Sequence, residues 1–292
     1  MNHNVYHSIA EKLPTMSKSH KKIAKFILEN TNTVPFFTVA KMAKKAEVSE
    51  ATVVRFAVQL GYSGYPELQQ HMQNSVQQQL TTVERLQMSS QVYEGKEQGI
   101  YDIFQDDIEN IKTTMGKLDI SAFNNAVNAI LNAKKVYISA NRSAASLGVF
   151  LQYYLNIVLE NTELIRSVEE LPEQLYKLDS RDVVFGISFA RYSSSTVKTM
   201  AFAKKQGAKT IVLTDNLLSP LVPNSDIVLT AASQVPTFID SFAAPLSLIN
   251  ALVTHVGKER INDVDCHLEK MEEIWEQLGI FYQKGHEESN ES

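Results

Sequence analysis

The chain has 292 residues, of which 44% are hydrophobic and 21% charged, and a formal net charge of −5, which indicates folded globular protein with room for two cores. Its single cysteine, Cys266, excludes an intramolecular disulfide framework, and with only His267 beside it offers a poor metal site. The N-terminus lacks the basic and apolar run of a secretory signal, and residues 243–256, the most apolar region, are too short and too polar to span a bilayer. We therefore expect a cytoplasmic protein with no membrane contact, metal or cofactor.

The charge is distributed unevenly along the chain. Residues 1–80 contain nine basic and five acidic side chains, a net charge of +4, whereas residues 81–292 carry a net charge of −9. A basic N-terminal part on an acidic body suits a protein that contacts phosphates at one end. A solvated basic face would have the same composition, so the charge alone does not decide between the two.

Residues 38–60 have the pattern of a helix-turn-helix. Residues 38–46 form a first helix rich in small side chains, and Ser49 is suited to cap a second helix because its hydroxyl can accept a free backbone N–H. Three apolar residues at helical spacing predict the buried face of that second helix: Val53, Phe56 and Leu60. The opposite face then points outward, as a recognition helix does in a major groove, although short capped hairpins also occur in proteins that do not bind DNA.

Residues 17–68 resemble the N-terminal domain of RpiR/MurR-type bacterial transcriptional regulators. The likeness is carried by Lys22-Ile23-Ala24, Val39-Ala40, Val48-Ser49, Ala51-Thr52-Val53, Arg55-Phe56 and Leu60-Gly61-Tyr62-Ser63-Gly64-Tyr65. The resemblance implies that Ser49 and Thr52 hold the DNA backbone while Glu50, Ala51 and Arg55 face the bases. Phosphate contacts would then fix the register and the base-facing side chains would select the sequence.

Residues 69–100 are polar, and six glutamines lie between positions 69 and 79. We therefore divide the chain into a helix-turn-helix domain at 1–80, a linker at 81–107 and a second domain at 108–292. Helical spacing of apolar residues recurs after the linker, at 108–118 and at 123–130.

From residue 135 onward, short apolar strands alternate with helices. Strands are predicted at 135–139, 163–166, 182–188, 209–214 and 226–229, and helices at 144–160 and 196–206. This alternation predicts an α/β domain with a five-stranded parallel sheet and helices on both faces, joined to the all-α N-terminal domain. A last helix at 264–282 has an apolar stripe that is either core or a contact with a partner subunit.

Two hydroxyl-rich loops follow strands of this predicted sheet, and ligands of such sheets bind beyond the carboxyl ends of the strands. Each loop holds one arginine and leads into a helix N-terminus, a combination that suits an oxyanion such as phosphate. Serine-rich loops also serve simply to cap helices. The candidate anion-binding residues are Asn141, Arg142, Ser143, Ser188, Arg191, Ser193, Ser194, Ser195 and Thr196.

Residues 119–258 resemble the SIS (sugar isomerase) domain. The likeness is clearest in Asp182–Ser188, Ala203–Ala208, Val212-Leu213-Thr214-Asp215, Ser219-Pro220-Leu221 and Asp226. SIS domains join this type of helix-turn-helix in RpiR/MurR regulators, and the resemblance implies a phosphosugar sensed by the two loops. Ser143, Ser188 and Thr196 match the family's phosphate-loop hydroxyls.

Both loops depart from the SIS pattern, which carries glycines that wrap the phosphate. Ser139 and Asn141 stand where the first loop of the family has glycines, and the second loop has no glycine and has Arg191-Tyr192 inserted. Arginine can replace backbone N–H groups as the partner of an anion. We therefore expect a sugar phosphate or a related anionic metabolite.

The leading hypothesis is a ligand-responsive transcription factor, without catalytic residues, that binds double-stranded DNA at a palindromic operator as a homodimer or homotetramer. One alternative is a sugar-phosphate isomerase with an accessory helical domain, which needs a positioned base. Candidates by residue type alone are Glu169, Glu170, Glu173, His255 and Glu259. Another is an oligomerisation module whose loops bind nothing.

Overall fold

The structure is a computed structural model, and it describes residues 5–77, 81–93, 95–165, 175–235 and 237–282. Five helices form the N-terminal part: α1 (Val5–Lys12), α2 (Lys18–Glu29), α3 (Val39–Ala46), α4 (Glu50–Leu60) and α5 (Tyr65–Gln77). They surround one apolar core in which Ile23, Met42, Phe56, Leu68 and Met72 are fully buried. The predicted helix-turn-helix is therefore α3 and α4 packed on three further helices.

Two more helices follow, α6 (Thr82–Val92) and α7 (Lys96–Gly116), so the polar stretch that the sequence analysis treated as a linker is helical where it is described. Helix α6 begins with a capping box, in which the Thr81 hydroxyl accepts the backbone N–H of Glu84 and the Glu84 carboxylate accepts the N–H of Thr81. Met88 and Val92 of α6 are buried against the N-terminal core. The stretch looks like a linker in sequence because residues 81–100 are mostly polar and include two glycines.

Helix α7 is turned with its polar side inward. Asn110 and Thr114 are buried, and their side chains bond to the backbone of Gln234 and Ala232. The apolar side of the helix is exposed along its whole length: Ile100, Phe104, Ile108, Ile111 and Met115. The helical spacing expected after residue 108 is thus present, but it marks an exposed face.

The C-terminal part is an α/β unit. Its elements are α8 (Ile120–Leu131), β1 (Val136–Ala140), α9 (Ala145–Leu159), β2 (Thr162–Ile165), β3 (Val183–Ile187), α10 (Ser194–Lys205), β4 (Lys209–Thr214), β5 (Ile227–Thr230), α11 (Ala243–Glu259) and α12 (Ile261–Gln277). The strands are all parallel, in the order β2-β1-β3-β4-β5. This confirms the predicted five-stranded sheet, and no described strand end differs from the predicted one by more than one residue.

Helices α8, α9 and α11 cover one face of the sheet, and α10 covers the other. Gly148 allows α9 to lie close to β1, because a Cβ atom at this position would stand 2.7 Å from the Cβ of Ala140. Leu278 and Phe281, from the apolar stripe predicted for the last helix, are 68% and 58% exposed. In the part of the chain described, no helix is long and apolar enough to cross a membrane.

Candidate effector site and DNA-binding surface

The strand order has a reversal between β1 and β3. From β1 the chain moves outward to β2, and then it crosses back to β3 and continues to β4 and β5 on the other side. The loops that leave β1 and β3 therefore diverge at the carboxyl edge of the sheet, and a crevice opens between them. Such a switch point is where open α/β sheets bind ligands.

A cavity of about 500 Å³ occupies this crevice. It is lined by the loop after β1 with the first turn of α9 (residues 141–144 and 146), the loop after β3 (residues 188–191 and 193) and a segment before α11 (residues 238–240 and 242). Thr82 and Arg85 of α6 complete the lining. Both hydroxyl-rich loops predicted from the sequence thus meet at one site, and two further segments share it.

The loop after β1 contributes Asn141, Arg142 and Ser143 to the cavity, with Arg142 and Ser143 exposed. Arg142 has φ 59°, in the left-handed region that side chains other than glycine seldom occupy. The Ser143 carbonyl accepts the Ser146 hydroxyl at 2.8 Å, which fixes the turn into α9. The loop therefore holds a guanidinium at the mouth of the cavity.

The loop after β3 contributes Ser188, Arg191 and Ser193. Arg191 is exposed and has φ 62°, so the arginines of both loops share the left-handed conformation. Ser188 is buried, and its hydroxyl accepts the backbone N–H of Ser193 at 3.0 Å. Ser193 in turn caps α10 by accepting the N–H of Thr196. These two serines shape the loop, and Arg191 projects from it.

The other three candidates lie around the start of α10 without lining this cavity. Thr196 is fully buried, and its hydroxyl accepts the Asn141 side-chain amide at 2.9 Å, which ties the two loops together. Ser194 faces a neighbouring depression that Arg142 and Arg191 also line. Ser195 is half-buried in the first turn of the helix. Their part in ligand binding stays a prediction.

A hydrogen bond between Tyr192 and Asp215 anchors the loop after β3 to the end of β4. The Tyr192 hydroxyl donates to the Asp215 carboxylate at 2.8 Å, just after the end of β4. Burial raises the pKa of Asp215, and burial, with the negative charge of Asp215, raises the pKa of Tyr192. The inserted Arg191-Tyr192 pair thus has one residue anchored below the loop and one projecting into the cavity.

Arg85 is one of the lining residues that the sequence reasoning missed, together with Thr82 and Asp240. Its guanidinium is buried, with Nε donating to the Thr237 carbonyl at 2.9 Å and Nη2 to the Ile239 carbonyl and the Asp240 carboxylate at 2.8 Å each. The sequence does contain a signal for α6, namely the Thr81-x-x-Glu84 capping box. Nothing in the sequence places that helix against the carboxyl edge of the sheet.

The surface predicted to meet DNA is the outer face of α4. Ser49 caps this helix, with its hydroxyl accepting the Thr52 N–H at 3.3 Å, and the two hydroxyls lie 2.8 Å apart. Glu50, Ala51 and Arg55 are exposed, while Val53 and Phe56 are fully buried. The Arg55 Nε donates to the Ala51 carbonyl, which leaves the rest of the guanidinium at the surface.

The turn between α3 and α4 has a defined geometry. Glu47 ends α3 in the left-handed conformation with φ 54°, and its carboxylate bonds the Lys22 ammonium at 2.9 Å. This bond lowers the pKa of Glu47. Lys44 and Lys45 in the last turn of α3 are exposed beside α4. The exposed face of α4 therefore has basic neighbours, as contact with phosphates requires.

Two family models match the chain, one in each half. The helix-turn-helix domain of the rpiR family matches residues 3–79, and the SIS domain matches residues 129–255. The chain belongs to the RpiR family of transcriptional regulators. The match to each half agrees with the resemblance that the sequence motifs carry.

Relatives of this RpiR-family chain extend over nearly its full length. An HTH-type transcriptional regulator of Caldanaerobacter subterraneus is 29% identical over 91% of this chain and 95% of its own length. The regulator HexR of Pseudomonas aeruginosa is 25% identical over 92% of this chain and 95% of its own.

Solved structures show the same architecture. The sugar isomerase domain of an RpiR transcription factor from Sphaerobacter thermophilus has a TM-score of 0.58 and 27% identity, and covers 60% of this chain and 98% of its own. NanR of Vibrio vulnificus, solved in complex with ManNAc-6P, has a TM-score of 0.57 and 21% identity, and covers 94% of this chain and 99% of its own.

The candidate bases of the isomerase alternative lie away from the cavity or outside the described residues. Glu169, Glu170 and Glu173 belong to the latter group. His255 lies on α11, where its Nδ1 is 2.9 Å from the Ala251 carbonyl and its ring packs on Phe123, and Glu259 is exposed at the end of the same helix. Neither lines the cavity. Among the described residues, no group of three or more metal-ligating side chains is present.

Proposed function

We propose that this RpiR-family chain binds a palindromic operator through α4 and that an anionic metabolite, most simply a sugar phosphate, controls its affinity for DNA. Residues 1–80 would bind DNA, residues 108–292 would bind the metabolite and form the oligomer, and residues 81–107 would join them. The observation that carries the proposal is the cavity at the switch point of the sheet. Two exposed arginines, Arg142 and Arg191, converge there from separate loops.

The charge of the cavity favours a phosphate monoester. Its described lining contains three arginines and one carboxylate, that of Asp240, which gives a formal charge of +2. Arg85 is bonded to Asp240, so the unneutralised charge is that of Arg142 and Arg191. A phosphate monoester carries about −1.5 to −2 at neutral pH, and guanidinium groups bind its oxygens in a bidentate manner. The ligand class named in the NanR structure is consistent with this charge.

The exposed stripe of α7 supports an oligomer. The stripe extends from Ile100 to Met115 on the helix between the DNA-binding and the cavity-bearing parts. A continuous exposed apolar face of this length marks a contact surface. A second copy is the occupant we propose, because a palindromic operator is read by two recognition helices related by a twofold axis.

The cavity favours sensing over isomerisation. Moving a proton beside a sugar carbonyl needs a carboxylate or imidazole within hydrogen-bond reach of the substrate. The one carboxylate among the described lining residues belongs to Asp240, and the Arg85 guanidinium holds it at 2.8 Å. A carboxylate held in this way is a weak base for catalysis.

The test has two stages. Genomic DNA fragments are first selected on the protein with and without a metabolite pool, and the enriched sequence becomes the operator probe. Affinity for that probe is then measured against a panel of hexose 6-phosphates for the unaltered chain and for Arg142→Met and Arg191→Met. We expect each variant to weaken binding of the active sugar phosphate at least tenfold, because each loses charge-assisted hydrogen bonds.

Arg181→Met is the matched control, since Arg181 is an exposed arginine at the opposite edge of the sheet. If no DNA sequence is enriched at moderate salt, the proposal that the chain is a DNA-binding regulator is contradicted. Turnover of a hexose 6-phosphate would instead support the isomerase.

A further inference from the structure

We infer that helix α6 transmits occupancy of the cavity to the helix-turn-helix, and that Thr82 and Arg85 are its two coupling residues. This inference rests on the proposed function, because it concerns the regulation of the same cavity. It assigns a role to a helix that lies between the two matched domains, since neither family model includes residues 82–92. The observations that support it come from both ends of the helix.

One end of α6 is part of the DNA-binding domain. Met88 and Val92 are buried in the core that also contains Met42 of α3 and Phe56 of α4. In addition, the Lys41 ammonium on α3 donates to the Val92 carbonyl at the last turn of α6. Because packed cores resist continuous deformation, a displacement of α6 moves α3 and α4 with it.

The other end of α6 is part of the cavity wall. Arg85 is 5% exposed, and its guanidinium bonds to three oxygens of residues 237–240. Residues 238–240 line the cavity together with Thr82 and Arg85 themselves. A buried guanidinium whose partners all lie on one segment fixes that segment to the helix, since separating them leaves a buried charge unpaired.

Residues on either side of this segment are bonded to α7. The Ser241 hydroxyl donates to the Asp107 carboxylate at 2.5 Å, and the Asn110 amide donates to the Gln234 carbonyl at 3.0 Å. Thus α6 and α7 each bond to residues of the chain that precedes α11. Helix α6 bonds to Thr237, Ile239 and Asp240, and α7 bonds to Ala232, Gln234 and Ser241. The wall of the cavity and the two helices form one connected unit.

Arg191 provides the contact that a ligand can change. Its Nη1 donates to the Thr82 hydroxyl, in the first turn of α6, at 2.7 Å. A phosphate oxygen is a better acceptor for a guanidinium than a neutral hydroxyl, because it carries negative charge and because guanidinium and phosphate can form two parallel hydrogen bonds. A bound oxyanion therefore competes with Thr82 for Arg191 and changes what holds the start of α6 against the loop after β3. The ligand then favours the arrangement in which Arg191 is released from Thr82, and such a difference in affinity is what coupling requires.

The experiment measures a coupling ratio, defined as the Kd for the selected operator with a saturating ligand divided by the Kd without it. The ligand probes are glucose 6-phosphate, fructose 6-phosphate and N-acetylmannosamine 6-phosphate, and their own binding is followed by calorimetry. For the active probe we expect the ratio to differ from one by at least about fivefold in the unaltered chain. In Thr82→Val and in Arg85→Met the coupling ratio should lie closer to one than in the unaltered chain, by a factor of about three or more, while the probe still binds.

Ser90→Ala is the matched control, because Ser90 is an exposed residue on the same helix and its hydroxyl donates to the Gln87 carbonyl of its own turn. It should leave the ratio unchanged. Thr82→Val removes an exposed hydroxyl without changing the shape of the side chain, so it keeps the test valid if Arg85→Met unfolds.

An unchanged ratio in Thr82→Val, with the probe bound, overturns the coupling role and leaves the proposed function intact. The coupling role is overturned in the same way if Ser90→Ala brings the ratio as close to one as Thr82→Val does. Failure of every probe to bind the unaltered chain or to change its affinity for DNA overturns the proposed function, and this inference with it.

Discussion

Arg142 and Arg191 lie in the loops after two adjacent strands, and both have a left-handed backbone, with φ of 59° and 62°. This conformation costs a residue with a side chain about 1–2 kcal/mol. In this chain the strain is retained at two positions that both line the cavity, and local strain of this kind concentrates at ligand sites. We interpret each strained arginine as the means by which a glycine-free loop presents a cation to an anion.

The backbone strain and the charge of Arg142 can be separated by two substitutions. Arg142→Gly removes both, whereas Arg142→Ala removes the charge and keeps the strain. We expect the glycine variant to be more stable than the alanine variant by about 1 kcal/mol. Both should bind the active sugar phosphate at least tenfold more weakly than the unaltered chain. Denaturant unfolding and calorimetric titration are the two measurements.

Arg142→Lys serves as the control for charge. It should bind the sugar phosphate more tightly than the glycine and alanine variants, although a lysine cannot form the bidentate contact of an arginine. Equal stability of the glycine and alanine variants would show that the backbone at this position is not left-handed in solution. Unchanged affinity in all three variants would exclude contact between Arg142 and the ligand.

Arg55 is predicted to read a base from the exposed face of α4. Arg55→Ala should lower operator affinity by about 5- to 100-fold and weaken discrimination between the operator and unrelated DNA. If Arg55 instead contacts phosphate, affinity for all DNA falls together and the salt slope decreases by about one. Fluorescence anisotropy at several salt concentrations separates the two outcomes. An unchanged slope together with unchanged operator preference would refute the role.

Lys270→Ala is the control for the loss of one positive charge, because Lys270 is exposed on α12, outside the DNA-binding domain. It should leave both quantities unaltered. Thermal unfolding of Arg55→Ala should match the unaltered chain, since the side chain is exposed and makes one hydrogen bond within its own helix.

If the exposed apolar stripe of α7 is the contact between two copies of the chain, a charge placed in it should weaken self-association. Phe104 is 63% exposed at the middle of the stripe, and Ile108 lies one helical turn later. Phe104→Glu should weaken self-association at least tenfold, because dimerisation would bury the new carboxylate among apolar side chains. Sedimentation velocity over a range of concentrations measures the effect. Gln105→Glu adds the same charge to a neighbouring exposed position and should leave association unchanged.

If Phe104→Glu remains as associated as the unaltered chain, α7 does not form the interface. The exposed apolar end of α12, around Leu278 and Phe281, would then be the next surface to alter. A variant that is monomeric yet retains full operator affinity would contradict the requirement for paired recognition helices.

The sequence predicted the sheet and the helix-turn-helix closely because both rest on local signals. Strand β3, for example, is a continuous apolar run between Asp182 and Ser188, and Ser49 is a hydroxyl cap in front of a helical pattern. The loops could be found because a strand followed by a hydroxyl-rich turn fixes which edge they occupy. These features need no knowledge of distant contacts.

The role of α6 could not be predicted in this way. Arg85 becomes a wall of the cavity only because residues 237–240 approach it from more than 150 positions away in sequence. Composition instead favoured a linker, since residues 81–100 are mostly polar and include two glycines. The outward apolar face of α7 was likewise hidden, because helical periodicity gives the face but not what covers it.

Asp106 predicts how stability depends on pH. It lies on α7 beside Tyr93, whose hydroxyl donates to its carboxylate at 2.6 Å. Burial, and to a smaller degree the nearby charges of Asp102 and Asp107, raises the pKa of Asp106 to about 6, although the Tyr93 bond opposes this. Between about pH 4 and pH 6 the folded chain therefore keeps a proton that the unfolded chain has lost. Its contribution to stability is complete below about pH 4 and is lost as the pH rises through 6.

Asp106→Asn should abolish this dependence, because an amide does not titrate and its oxygen still accepts the Tyr93 hydroxyl. At pH 7 the variant should be more stable than the unaltered chain by roughly 1–2 kcal/mol, less than the full shift implies because Asp106 is partly exposed to solvent. Urea unfolding at pH 4, 5, 6, 7 and 8 gives the profile. Glu109→Gln on the exposed side of the same helix should leave the profile unchanged. If Asp106→Asn and the unaltered chain have parallel profiles from pH 5 to pH 8, the carboxylate is already ionised in the folded chain and is not buried in solution.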